Sequence, residues 1–218
     1  MELYFSPLAC SMVVRIVADA ADVPLTFREV ELYVKQFTAD GSDYVTAAPR
    51  GQVPVLVLDD GERLTEVLAI SHYLAELRPD RGLLGATPRE RHRVLEGTSL
   101  AATEVHKRIL FVLGNATAPA EARAHARATA PRIFADVART LGPRPFWAGE
   151  RFSIADAYFA WALVVARIFG LDPGPLADYA RRLAAVPSVA RAITVETPLG
   201  QASWRRQREA VGTAPWAR

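Results

Sequence analysis

The sequence predicts an α/β unit followed by an all-α unit, and three observations predict it. Over the first third of the chain, short apolar runs alternate with stretches of helical periodicity. From Pro79 to Pro88 the composition turns to proline, glycine and arginine, as a linker does. Beyond that point apolar residues recur at helical spacing to the end. The expected division is 1–80, a βαβ-ββα unit, then a linker over 81–87, then an all-helical unit over 88–218.

Glu2 to Phe5 reads as a strand. Val13, Val14, Val17, Ala18 and Ala21 fall on one helical face, so Ser11 to Ala21 reads as an amphipathic helix. Pro24 ends it, because the residue before proline is pushed out of the helical region. Thr26 to Val30 is a second strand, and a β-α-β start implies parallel pairing with a right-handed crossover. Residues 31–50 read as irregular, with at most a short helix near Val34 to Thr38. Gly51 to Leu64 reads as a hairpin around Asp59-Asp60-Gly61, with Pro54 at a strand start or edge because it has no N–H for the ladder. Thr65 or Glu66 opens a helix that Pro79 closes.

In the second unit, Leu95, Val105, Ile109, Val112 and Leu113 mark a long helix. Another spans about 120–141, which Pro131 is expected to kink or split. Ser153 and Asp156 form a capping box, with Asp in place of the usual Glu. Tyr158, Trp161, Ala162, Val165 and Phe169 continue that helix's apolar face. Two shorter helices follow, the last from near Pro187.

With 218 residues, half of them apolar, the chain can bury a sizeable core. A formal charge of +2 gives no argument for a nucleic-acid partner, and Arg205-Arg206-Gln207-Arg208 reads as a solvated segment. No stretch is long and apolar enough to span a bilayer. One cysteine allows no internal disulfide, which favours a reducing, cytoplasmic setting. Four scattered histidines and one cysteine suggest no metal site.

That one cysteine, Cys10, lies where a helix begins. Unpaired backbone N–H groups and the dipole there favour thiolate, the reactive form. A small buried apolar residue is the competing reading. His106 and Lys107 are adjacent on a helix and point about 100° apart, so they can line a cleft but not one packed stripe. The imidazole can donate a hydrogen bond or shuttle a proton near neutrality, and the lysine can lower a thiol pKa.

Three local patterns carry a family resemblance. They are Tyr4-Phe5-Ser6-Pro7 with Ala9-Cys10-Ser11, Pro49-Arg50-Gly51-Gln52-Val53-Pro54-Val55-Leu56, and Glu104-Val105-His106-Lys107. In order and spacing the chain resembles cytosolic glutathione S-transferases, most closely the bacterial beta class. The resemblance implies a thioredoxin-like N-terminal domain, an all-helical C-terminal domain and a homodimer. It implies glutathione as co-substrate with no other cofactor, and either conjugation to apolar electrophiles or thiol-disulfide chemistry through Cys10.

Cys10, His106 and Lys107 are the implied catalytic groups, with Ser11, and beyond it Tyr4, as rival thiolate stabilisers. Pro54 is expected cis, leaving Val53 to pair with the cysteinyl part of glutathione beside Gln52. Glu66 and Val67 open a helix whose N–H groups can hold the γ-glutamyl carboxylate. Lys35 is placed at the glycyl carboxylate, and Ser99 and Glu104 near the partner-subunit site. Ile109, Leu110 and Leu113, with Phe111, are the expected electrophile surface. The chain departs from the family pattern at Ala48, Val67 and Ser99, where Asn, Ser and Asn are usual. An isomerase of the maleylacetoacetate type is the nearest alternative, although that class has a basic residue where Val13 stands. A non-catalytic ligand- or protein-binding relative is another.

Overall fold

The structure, a computed structural model, describes residues 1–213. The expected helical unit's last residues, 214–218, lie outside the described residues. The first unit is built from β1 (Glu2–Phe5), α1 (Ser11–Ala21), β2 (Thr26–Glu31), β3 (Gln36–Phe37), α2 (Tyr44–Ala47), β4 (Val55–Val57), β5 (Arg63–Thr65) and α3 (Val67–Glu76). The described strands form one sheet in the order β3-β2-β1-β4-β5. β1 pairs parallel with β2 and antiparallel with β4, with Leu3 opposite Phe27 and Leu56.

The central strand β1 is covered on both faces, and its alternation shows how. Leu3 and Phe5 face the main core with α1 and α3, whereas Tyr4 faces a second, smaller core with Val30, Phe37, Tyr44, Ala48 and Val55. Rings of Tyr4, Phe37 and Tyr44 meet edge to face, with centroids 5.1 to 6.0 Å apart. Ala48 is packed into this small core.

Two expectations for residues 31–50 need correction. No helix forms at 34–38. The chain turns at Lys35, with φ of 57°, into the short strand β3, which pairs with β2. The helix of this segment lies later, at α2, capped by the Asp43 carboxylate on the Val45 N–H.

The second unit begins after a 3₁₀ turn at Pro79–Arg81. One continuous helical rod comprises α4 (Pro88–Leu100), a π-helical stretch (Ala101–Leu110) and a last α turn, α5 (Phe111–Gly114). Then come α6 (Ala120–Leu141), α7 (Ile154–Ile168), a 3₁₀ turn at Gly174–Leu176, α8 (Ala177–Ala184) and α9 (Pro187–Thr213). Pro131 does not split α6. It deprives only the Arg127 carbonyl of an intrahelical donor, and Arg127 is exposed, so water can serve instead. The last helix is long rather than short, with Pro198 inside it.

The capping box forms as expected. Asp156, fully buried, accepts from Ser153 N and Oγ, from the Trp147 N–H and from the Tyr179 hydroxyl, at 2.6 to 2.9 Å. Twelve residues of α7 are buried, so this helix is the axis of the second unit. Among the described residues, no helix is long and apolar enough to cross a membrane.

Candidate active site

Three walls meet at Cys10. The first is the loop between β1 and α1. Its turn is closed by Ser11, whose Oγ accepts from the Ser6 N–H at 3.2 Å and donates to the Ser6 carbonyl at 3.1 Å. Ser11 is fully buried with its hydroxyl committed to that turn, so it is not the rival thiolate stabiliser that the resemblance implied. Tyr4 is likewise a core residue. Leu8 adopts φ of 61°, outside the usual region for a branched residue. The second unit holds it there: the Leu8 N–H donates to Glu196 Oε2 at 2.7 Å and the Trp161 indole donates to the Leu8 carbonyl at 3.0 Å. Glu196, fully buried, also takes Arg15 at 2.8 Å. Gly200 on α9 is needed for this approach, since a Cβ there would stand 2.4 Å from Leu8 Cδ1. Cys10 then occupies the cap position of α1 without a side-chain capping bond.

The second wall is the segment Gly51–Pro54. The Val53–Pro54 peptide is cis, as expected. Cys10 Sγ donates to the Val53 carbonyl at 3.5 Å. Two buttresses fix this segment. Lys35 Nζ donates to the Gly51 carbonyl at 2.6 Å, and the Tyr44 hydroxyl donates to the Gln52 carbonyl at 2.8 Å. Beyond it Glu66 caps α3 with φ of 71°, its exposed carboxylate 3.1 Å from Arg50, which also donates to Thr65 Oγ1 at 2.6 Å. A non-glycine residue in this conformation costs free energy that its surroundings must offset, a pattern common at binding sites. The Val67 side chain belongs to the main core and is buried, so it does not face the cleft as a serine replacement would need to; only its N–H stands at the helix start.

The third wall comes from the π-helical stretch and α7. His106 is buried, with Nδ1 2.9 Å from the Tyr158 hydroxyl and its ring edge-on to Trp161 at 4.6 Å. Lys107 is exposed, its ammonium 4.6 Å from the centre of the Phe111 ring. Phe111 N–H bonds back to the His106 carbonyl, five residues away rather than four. The packing here corrects the expected electrophile surface. Ile109 and Leu110 are core residues, whereas Phe111 is 49 % exposed and Leu113 half-buried. Ser99 is half-buried on α4, and Glu104 is paired with Arg108 at 2.8 Å; neither joins Cys10.

The electrostatics run against two expectations. Burial pushes the Cys10 thiol up to about 12; Lys107 and the helix-start N–H groups pull it down by less, and Glu66 adds to the rise. Burial thus favours the thiol form of Cys10. His106 does not titrate near neutrality either: burial, then the Lys107 charge, bring it down to about 4. Tyr158 is driven upward by burial, with the charges of Cys10 and Glu66 adding to it. Among the described residues, no group of three or more His, Cys, Asp or Glu side chains could hold a metal ion.

Sequence reasoning missed Arg50, Tyr44, Tyr158 and Glu196. Tyr158 was legible only as one member of an apolar helical face. Arg50 stood within a quoted motif, and its partner Glu66 was already singled out.

The sequence pattern of the glutathione S-transferase N-terminal domain matches residues 9–77, and that of the C-terminal domain matches residues 120–186. Glutathione S-transferase GstA of Escherichia coli O157:H7 is 35% identical over 202 residues, which cover 90% of this chain and 98% of that protein. A sphingomonad glutathione S-transferase solved in complex with glutathione is 34% identical, with a TM-score of 0.81 over 90% of this chain and 98% of its own. The bacterial beta class enzyme of Sphingomonas chungbukensis is 31% identical, with a TM-score of 0.82 over 90% of this chain and 99% of its own.

Proposed function

This chain belongs to the glutathione S-transferase family, and from that premise we propose that its Cys10 cleft binds glutathione and directs the glutathione sulfur at an apolar electrophile. The observation that carries the reading is the meeting of Cys10 Sγ with the Val53 carbonyl, 3.5 Å away, under the field of Lys107. Val53 offers an acceptor to an extended peptide laid along the segment. The opening turn of α3 has no side-chain cap, so its N–H groups suit a carboxylate, with Glu66 alongside for an amino group. Lys35, at the other end of the Gly51–Pro54 segment, can meet the second carboxylate. Phe111 and Leu113 supply the apolar surface for the electrophile in place of Ile109 and Leu110.

Conjugation is preferred to disulfide exchange because the Cys10 thiol is held protonated by burial. Its S–H, which donates to the Val53 carbonyl, then turns to the glutathione sulfur, and the glutathione backbone N–H takes its place on that carbonyl. Exchange is the second reading: Cys10 attacks glutathione disulfide, one glutathione thiolate leaves, and a further glutathione thiol resolves the mixed disulfide. Mass spectrometry after incubation with glutathione disulfide separates the two. The isomerase reading is weaker, because Val13 is fully buried where that class has a basic residue.

The same reading makes the enzyme a cytoplasmic homodimer acting in detoxification, with glutathione as co-substrate and no other cofactor. Ser99 and Glu104 would then serve the partner subunit. Calorimetric titration with glutathione, turnover with an aryl halide and sedimentation test it. Binding, turnover and a dimer are expected; a monomer that neither binds glutathione nor turns over rejects it.

A further inference from the structure

We propose that Tyr158 is a positioning residue that fixes the tautomer of His106, so that the imidazole presents an Nε2–H donor to the sulfur chemistry of the cleft. The proposal rests on the glutathione reading for the identity of that sulfur, though not for the tautomer itself. His106 Nδ1 and the Tyr158 oxygen are 2.9 Å apart in a buried contact, and one proton lies between them. Two arrangements satisfy the distance. In one, Nδ1–H donates to the phenol oxygen, which leaves the phenolic hydrogen needing another acceptor. In the other, the hydroxyl donates to Nδ1.

The surroundings choose the second. Tyr158 is buried and its hydroxyl has no other hydrogen-bond partner among the described residues, and a buried O–H without an acceptor is costly. Burial also keeps the phenol protonated and the imidazole neutral near pH 7. A neutral ring whose Nδ1 accepts must carry its proton on Nε2. That nitrogen is not sealed inside the protein: unlike His72 Nε2, it is not among the buried side-chain atoms left without a partner. Trp161 packs edge-on against the ring, with centroids 4.6 Å apart. His106 is then held as an Nε2–H donor rather than a base, and that tautomer is set by a side chain on a different helix.

The test is a long-range proton–nitrogen correlation spectrum of wild-type protein labelled with nitrogen-15 histidine, in which the two neutral tautomers give distinct patterns. His106→Gln identifies the His106 signals by their loss. The expected wild-type pattern is the Nε2–H form. In Tyr158→Phe the preference is lost and the Nδ1–H form gains, while glutathione turnover falls roughly tenfold in kcat with KM little changed, as for loss of one oriented hydrogen bond. A wild-type Nδ1–H pattern, or a Tyr158→Phe spectrum identical to wild type, overturns the proposal. If Tyr158→Phe does not fold, the wild-type spectrum alone decides. A protein with the expected tautomer but no glutathione binding would sink the functional reading and leave this one standing.

Discussion

The Leu8 N–H and the Glu196 carboxylate meet at 2.7 Å, although 188 positions separate them in the chain. The contact ties the loop before Cys10 to the last helix, and Arg15 completes it from α1. The buried carboxylate thus has both a charge partner and a backbone donor.

Glu196→Ala is expected to cost roughly 3–5 kcal/mol, because it strands Arg15 and the Leu8 N–H in a buried setting. Glu196→Gln keeps an acceptor for Leu8 but no charge for Arg15, so it should fall between. Urea unfolding measures both. A loss below about 1 kcal/mol for the alanine variant would mean that water replaces the carboxylate.

Cys10 in glutathione-free protein should react slowly with iodoacetamide at neutral pH, its rate still climbing above the ordinary thiol pKa of about 8.5. The cause is burial, with Lys107 opposing it, so Lys107→Met should slow the reaction further. A rate plateau below pH ~8.5 would contradict this account.

His106 makes stability depend on pH. Its folded pKa is lowered to about 4, below the unfolded value, so the unfolded chain binds the extra proton first. The contribution is complete above about pH 6.5 and is lost as pH falls toward 4, amounting to about 3 kcal/mol at most. Unfolding at stepped pH should show this slope in wild type and not in His106→Gln. Equal slopes in the two proteins would assign the effect elsewhere.

Val67→Ser should destabilise the fold by about 1–3 kcal/mol, since it places a hydroxyl among apolar side chains. Glutathione affinity should not rise. Tighter binding in calorimetry would show that the side chain at this position reaches the cleft after all.

The regular elements were legible because their signals are local. β1 and α1 occur at the expected residues, and the Val53–Pro54 peptide is cis as the motif implied. The failures share one cause, dependence on distant partners. β3 is two residues long and exists only because β2 lies beside it. The hydroxyl of Ser11 looked available until the turn at Ser6 consumed it. Ile109 and Leu110 were expected at the electrophile surface from the family resemblance, and packing against the rest of the helical unit buries both. Tyr158 patterned as core, and it is core; its chemical importance comes from meeting His106, 52 residues away.

The wider winding between Ala101 and Leu110 has a genetic consequence. A helix that bonds five residues back has room to surrender one residue per widened turn and close again with the tighter bonding, keeping its ends helical. Deleting a single codon just before His106 would therefore leave a continuous rod while swinging the imidazole and the neighbouring ammonium to new bearings around its axis. The expected product of such a deletion is a folded chain whose His106 and Lys107 have lost their aim.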